Sequence, residues 1–98
     1  MTNPDEIYIC ALANQIDGIS ARLATPEEDY GYQKADVIVS NSSENLYYLQ
    51  VSHTHKSKRE IAKLLKRGTH PISTHKYANM PFSDNELITQ IHKILENN

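Results

Sequence analysis

The sequence predicts a single α/β domain, and three observations carry that reading. The chain has 98 residues, enough for one hydrophobic core and too few for a second. Apolar residues make up 39% and charged residues 22%, proportions of a globular chain rather than a disordered one. Along the chain, β-branched runs alternate with helical stripes that open at capping signals and close at glycines. The predicted order is helix, three strands, helix, strand and a C-terminal helix: an αβββαβ core with a mixed sheet flanked by helices, plus one more helix, all in one domain over residues 1–98.

Asn3-Pro4-Asp5-Glu6 combines an N-cap, a proline at the first helical position and a glutamate three residues after the cap. The apolar residues that follow, from Ile7 to Ile16, predict a largely buried helix over 4–17, stopped by Gly18. Residues 19–24, Ile-Ser-Ala-Arg-Leu-Ala, alternate with period two and read as a half-buried strand. The stretch Thr25-Pro26-Glu27-Glu28-Asp29 reads as a loop.

Residues 35–40 and 46–52 are two β runs separated by the turn formers Asn41-Ser42-Ser43-Glu44-Asn45, the clearest hairpin in the chain. If it is symmetric about Ser43, Val39 faces Tyr47, Val37 faces Leu49 and Ala35 faces Val51, one wholly apolar face. The other face then carries Asp36 opposite Gln50, Ile38 opposite Tyr48 and Lys34 opposite Ser52. A slip of one residue would misalign the apolar face, so burial specifies the register.

Ser57-Lys58-Arg59-Glu60 has the spacing of a capping box and opens a helix with the apolar stripe Ile61, Leu64 and Leu65, ended by Gly68. After His70-Pro71, Ile72-Ser73-Thr74-His75 reads as a short strand, and strand-helix-strand implies a right-handed crossover to a parallel neighbour. A second box, Ser83-Asp84-Asn85-Glu86, starts the last helix, with Leu87, Ile88, Ile91, Ile94 and Leu95 on one side.

No apolar run approaches the roughly 20 residues of a membrane span, and the first residues form no basic, apolar leader. One cysteine, Cys10, forms no internal disulfide and no cysteine metal cluster, so a reducing, cytoplasmic setting is expected and the thiol reads as an inert core group. Charge is segregated. From His53 to Lys76 seven cations meet the single acid Glu60, a net of +6, which leaves −8 for the rest of the chain. Such a split suits a phosphate-binding face beside an acidic, metal-binding patch. A solvated amphipathic helix explains the basic stripe equally well.

Asp36 is an acid within an apolar strand, costly there unless hydrogen-bonded, exposed or metal-bound. Gln50 sits similarly in Tyr48-Leu49-Gln50-Val51-Ser52. A hard cation, Mg²⁺ or Mn²⁺, takes oxygen ligands: Asp36 as the main one, the Gln50 side-chain oxygen as a weaker one, with Glu6 or the Glu27-Glu28-Asp29 cluster adding a carboxylate. A lysine nearby would orient water or offset charge. His53 and His55, two apart in extended chain, share a side at transition-metal spacing but lack a third ligand; a polar strand end, a phosphate contact or a general base are the other readings. His70, His75 and His92 form no constellation, and no Gly-rich phosphate loop or nucleophile triad is present.

The element order, together with Ala35-Asp36-Val37-Ile38-Val39, Tyr48-Leu49-Gln50-Val51-Ser52 and the basic helix, resembles the PD-(D/E)XK, or restriction-endonuclease-like, superfamily over nearly the whole chain. The resemblance implies a small metal-dependent nuclease that hydrolyses nucleic-acid phosphodiesters with Mg²⁺ or Mn²⁺ on Asp36 and Gln50. Asp36 then matches the first acid, Gln50 the second and Ser52 the lysine position. The sequence departs from the pattern at the last two, so the cationic role passes to Lys58, Lys56 or Lys34. The catalytic set is Asp36, Gln50, Ser52 and Lys58, and Lys56, Arg59, Lys63, Lys66 and Arg67 would bind nucleic acid, DNA more than RNA. The alternative is a catalytically degenerate nucleic-acid-binding or assembly module on the same fold. A homodimer through the last helix or a sheet edge is compatible with both.

Overall fold

Local capping and one-sided burial account for most of the architecture. The computed structural model describes residues 3–31, 34–77 and 79–96. In chain order the elements are α1 (Pro4–Ala13), β1 (Ser20–Leu23), α2 (Pro26–Tyr30), β2 (Val37–Ser40), β3 (Leu46–Ser52), α3 (Lys58–Lys66), β4 (Thr69–Ser73), β5 (His75–Tyr77), β6 (Met80–Pro81) and α4 (Asp84–Glu96). The main sheet runs β1-β2-β3-β4. β1, β2 and β3 pair antiparallel and β4 joins β3 in parallel, so the sheet is mixed. A separate antiparallel pair, β5-β6, follows it.

The hairpin register is the expected one: Val37 pairs with Leu49, Ile38 with Tyr48 and Val39 with Tyr47. Val37, Val39, Tyr47 and Leu49 are buried together with Ile9, Leu12 and Ala13 of α1, Ile72 of β4 and Leu87 and Ile91 of α4. This core lies between the sheet and the α1/α4 pair. By the period-two alternation of β strands, Ile38 belongs to the opposite face, where α3 lies against β4 and buries Leu64.

Five elements differ from the sequence expectation. α1 ends at Ala13, four residues short of the expected end, because the Asn14 side chain leaves the helix to pair with β1: Ala21 N–H donates to Asn14 Oδ1 at 2.8 Å and Asn14 Nδ2 donates to Ala21 O at 3.0 Å. Gly18, at φ +79°, then makes the turn into β1. The helix is also less buried than its composition suggests, with Ile7 and Tyr8 exposed and the Tyr8 hydroxyl donating to the Asp84 carboxylate at the start of α4.

The segment expected as a loop forms α2, because Thr25 and Glu28 make a full capping box. Glu28 N–H donates to Thr25 Oγ1 at 3.3 Å and Thr25 N–H donates to Glu28 Oε1 at 2.8 Å, with Pro26 at the first helical position. β4 begins at Thr69 and runs through Pro71 rather than starting after it. As an edge strand it tolerates a residue without an N–H. The β5-β6 pair had no counterpart in the sequence pattern, since strands of three and two residues are too short to show a period.

α3 and α4 start as expected. Glu60 N–H donates to Ser57 Oγ at 3.2 Å, and at α4 the full reciprocal box forms, Ser83 N–H donating to Glu86 Oε1 at 3.0 Å and Glu86 N–H to Ser83 Oγ at 3.2 Å. Gly68, at φ +80°, closes the chain after α3. Among the described residues no helix is long and apolar enough to cross a membrane.

Candidate functional site

Asp36 occupies the residue just before β2, where β1, β2 and β3 meet. Its N–H donates to Leu49 O at 2.8 Å and its carbonyl accepts from Ala24 N–H at 2.9 Å, so the backbone is tied to both neighbouring strands. Its carboxylate Oδ2 accepts the Val51 N–H at 2.8 Å. Burial raises the Asp36 pKa to about 6, against the opposing pull of the Val51 hydrogen bond, and the carboxylates of Glu6 and Asp29 raise it further. Glu6 on α1 is itself raised, chiefly by burial.

The acids near the N-terminal half therefore divide by role. Glu28 is held by Arg22 in a two-pronged pair at 2.7 and 2.9 Å, which together with the Thr25 cap lowers its pKa to about 2. Glu6 and Asp29 instead face Asp36. Of the cluster Glu27-Glu28-Asp29, it is Asp29 that acts on Asp36, while Glu28 is committed to Arg22 and the Thr25 cap. The sequence reading named these acids as alternatives without separating them. Among the described residues, no group of three His, Cys, Asp or Glu side chains is arranged to hold a metal ion.

Gln50 lies opposite Asp36 when the β2-β3 register is continued by one residue. Its side chain meets a different environment. Gln50 Nε2 donates to Lys34 O at 3.1 Å. Lys34 holds a left-handed backbone conformation, φ +50°, which a non-glycine residue adopts at some cost and which the Gln50 bond supports. Around them opens a groove of ≈ 290 Å³, lined by Lys34, Gln50, Lys56, Lys63 and Arg67, with Glu60 and Leu64. Four cations face one acid there, and that acid stands 4.0 Å from Lys56.

The remaining candidates disperse. Ser52, at the lysine position of the resemblance, donates its hydroxyl to Thr54 O at 2.9 Å. Lys58, Arg59 and Lys66 are exposed on α3 and do not line the groove, whereas Lys56, Lys63 and Arg67 do. Helical geometry orders the division: Glu60, Lys63, Leu64 and Arg67 form an i, i+3, i+4, i+7 stripe along the groove, and Arg59 and Lys66 flank Lys63 on the side away from Leu64. His53 and His55 do not form a ligand pair. The His53 ring stacks on His75 with centroids 3.7 Å apart, while His55 Nδ1 lies 3.1 Å from Ser73 Oγ. β3 has ended at Ser52, so the strand alternation that would align the two rings no longer applies. Cys10 is half-buried, and burial raises its thiol pKa.

The arrangement offers a predominantly cationic groove around Gln50 and, at Asp36 across the β2-β3 hairpin, a half-buried carboxyl whose pKa is raised to about 6. Compared with models of protein families, curated proteins and solved structures, the chain gives no match.

Proposed function

We propose that this chain binds nucleic acid through the groove between β3 and α3, on a restriction-endonuclease-like αβββαβ scaffold. The observation that supports this is the convergence of Lys34, Lys56, Lys63 and Arg67 around the Gln50 amide. These cations come from a loop, a strand-to-helix connection and one helix face, so the groove has charge along its length rather than at one point. Cations so placed neutralise successive phosphates and release condensed counterions. Gln50 adds an uncharged polar contact at the centre.

Binding of single-stranded and duplex DNA and RNA, measured by fluorescence anisotropy across a salt series, tests the reading. Neutralising two phosphate contacts with Lys63→Ala plus Arg67→Ala is expected to reduce the slope of log K against log salt by about 1.8 on duplex DNA. Salt-independent binding, or an unchanged slope in the double variant, overturns it.

A second reading, phosphodiester hydrolysis, rests on Asp36. Its donors are oxygen-only, and its proton affinity is raised by burial and by Glu6 and Asp29, a setting that a hard divalent cation relieves. Asp36 would hold Mg²⁺ or Mn²⁺ with water and substrate phosphate oxygens completing the shell, since among the described residues no three acid side chains are arranged around one cation. Such a cation, when bound, activates water and offsets phosphoryl charge. At neutral pH, Mg²⁺ is then expected to raise the thermal midpoint of the wild type and not that of Asp36→Asn, and cleavage of labelled strands is expected to vanish in the variant. Equal Mg²⁺ response in both proteins removes this reading and leaves the binding one.

A further inference from the structure

Lys56 lines two spaces. One is the groove at Gln50; the other is a cavity of ≈ 160 Å³ lined on its polar side by Ser52, His55, Lys56, Ser73 and Gln90. Among the described residues, no acid lines the cavity. It backs onto β4, where Ile72 and Ser73 are 1% and 3% exposed, and it is more enclosed than the groove beside it. The volume exceeds what one water requires by roughly a factor of ten.

The polar groups are held in place by contacts that leave ligand-facing capacity. Gln90 on α4 closes both backbone groups of Ser73, accepting from its N–H at 3.3 Å and donating to its carbonyl at 2.9 Å. That fixes β4 and removes its main chain from competition for a ligand. His55 Nδ1 is oriented by Ser73 Oγ at 3.1 Å and its ring lies edge-on to Phe82, which leaves Nε2 as the nitrogen able to meet a ligand. Lys56 supplies the charge; Glu60, at 4.0 Å, is a long-range partner on an exposed helix face. Ser52 donates its hydroxyl to Thr54 O, and Ser73, by donating to His55 Nδ1, leaves the proton on Nε2, so an ammonium and an imidazole N–H face the small cavity, donors that match an anionic group with several oxygens.

A continuous strand runs along an open groove, whereas the smaller, more enclosed space at its Lys56 end suits a strand end. We propose that this cavity receives the terminal phosphomonoester of a nucleic-acid strand whose backbone lies in the groove, Lys56 being shared between the terminal phosphate and the next one. A phosphomonoester carries more charge than a phosphodiester and presents three oxygens. The inference rests on nucleic-acid binding at the groove, and names the end chemistry that the same surface selects.

The test compares three internally labelled strands of one sequence, carrying a 5′-phosphate, a 3′-phosphate or only hydroxyl ends. One phosphorylated strand is expected to bind ~10-fold more tightly than the hydroxyl-ended strand, the gain of one well-formed hydrogen bond to a charged group. His55→Ala is expected to abolish that preference and leave the hydroxyl-ended affinity unchanged; His55 is exposed, so the variant keeps the core intact. Lys63→Ala plus Arg67→Ala is expected to weaken all three strands by the same factor and preserve their ratio. Equal affinity for all three ends, with groove binding intact, overturns the end-recognition proposal alone. If no strand binds, the groove reading falls as well, and the His55 ring NMR signals under inorganic phosphate decide what remains. A phosphate-dependent shift lost in Lys56→Gln supports phosphate recognition and overturns the strand end as its source; no shift overturns both.

Discussion

Val51 donates its backbone N–H to the Asp36 carboxylate at 2.8 Å, so a side chain serves as the strand partner where β2 has not yet begun. The bond anchors the carboxyl at the sheet while Glu6 and Asp29 approach it from α1 and α2. Burial, with the two facing like charges, outweighs the Val51 N–H, so this acid holds its proton more tightly than a free one.

That proton has a consequence for stability. The Asp36 pKa lies at about 6 in the folded chain, above its ordinary 3.8, so between these values the folded state binds more protons than the unfolded state. Its contribution is complete below the unfolded value and is lost as pH rises through the folded one. Asp36→Asn keeps an oxygen for the Val51 N–H and removes the titration. Urea midpoints taken from about pH 4 to pH 7 are therefore expected to fall in the wild type relative to the variant. Parallel curves would contradict the burial of this carboxyl.

Gln90→Ala is expected to destabilise the fold by ~1–3 kcal/mol, since both main-chain groups of Ser73 lose their side-chain partner where β4 meets α4. Chemical denaturation measures the loss. Gln90→Glu, which retains an acceptor for the Ser73 N–H but no donor for its carbonyl, is expected to recover only part of it. Full recovery would show that the carbonyl bond contributes nothing.

Asn14→Ala removes two hydrogen bonds to Ala21 and is expected to cost ~1–2 kcal/mol. The loss is local to the edge of the sheet. Hydrogen exchange is expected to accelerate at Ala21, whose N–H loses its acceptor, before it does in β3. Uniform acceleration through the sheet would place Asn14 in the global folding unit instead.

Much of this architecture was readable along the chain. The β2-β3 register followed from Val37, Val39, Tyr47 and Leu49 needing one shared face, and the starts of α3 and α4 followed from Ser57-Glu60 and Ser83-Glu86. Both are short-range requirements. The α2 cap is equally local, carried by Thr25 and Glu28 around Pro26, and the loop expected over residues 25–29 is a short helix instead.

The candidate site was legible only in part. Asp36 and Gln50 stood out as polar residues in apolar strands, and the excess of cations after His53 pointed to a basic face. The division of that face did not: Lys63 and Arg67 line the groove while Lys58, Arg59 and Lys66 do not, which depends on how α3 lies against the sheet. The meeting of Glu6, Asp29 and Asp36, drawn from two helices and a strand approach, likewise depends on packing.

What the order of residues settled without help was the set of elements bounded by periodicity and caps, and the β2-β3 pairing, because those follow from a few neighbouring residues and from the cost of exposing an apolar face. Tertiary structure decided the rest: the early end of α1 at Asn14, the passage of β4 through Pro71, the parting of His53 from His55, and the cavity under Lys56. Each depends on a partner distant in sequence, Ala21, the sheet edge, His75 or Ser73, and no local pattern records which distant group will arrive.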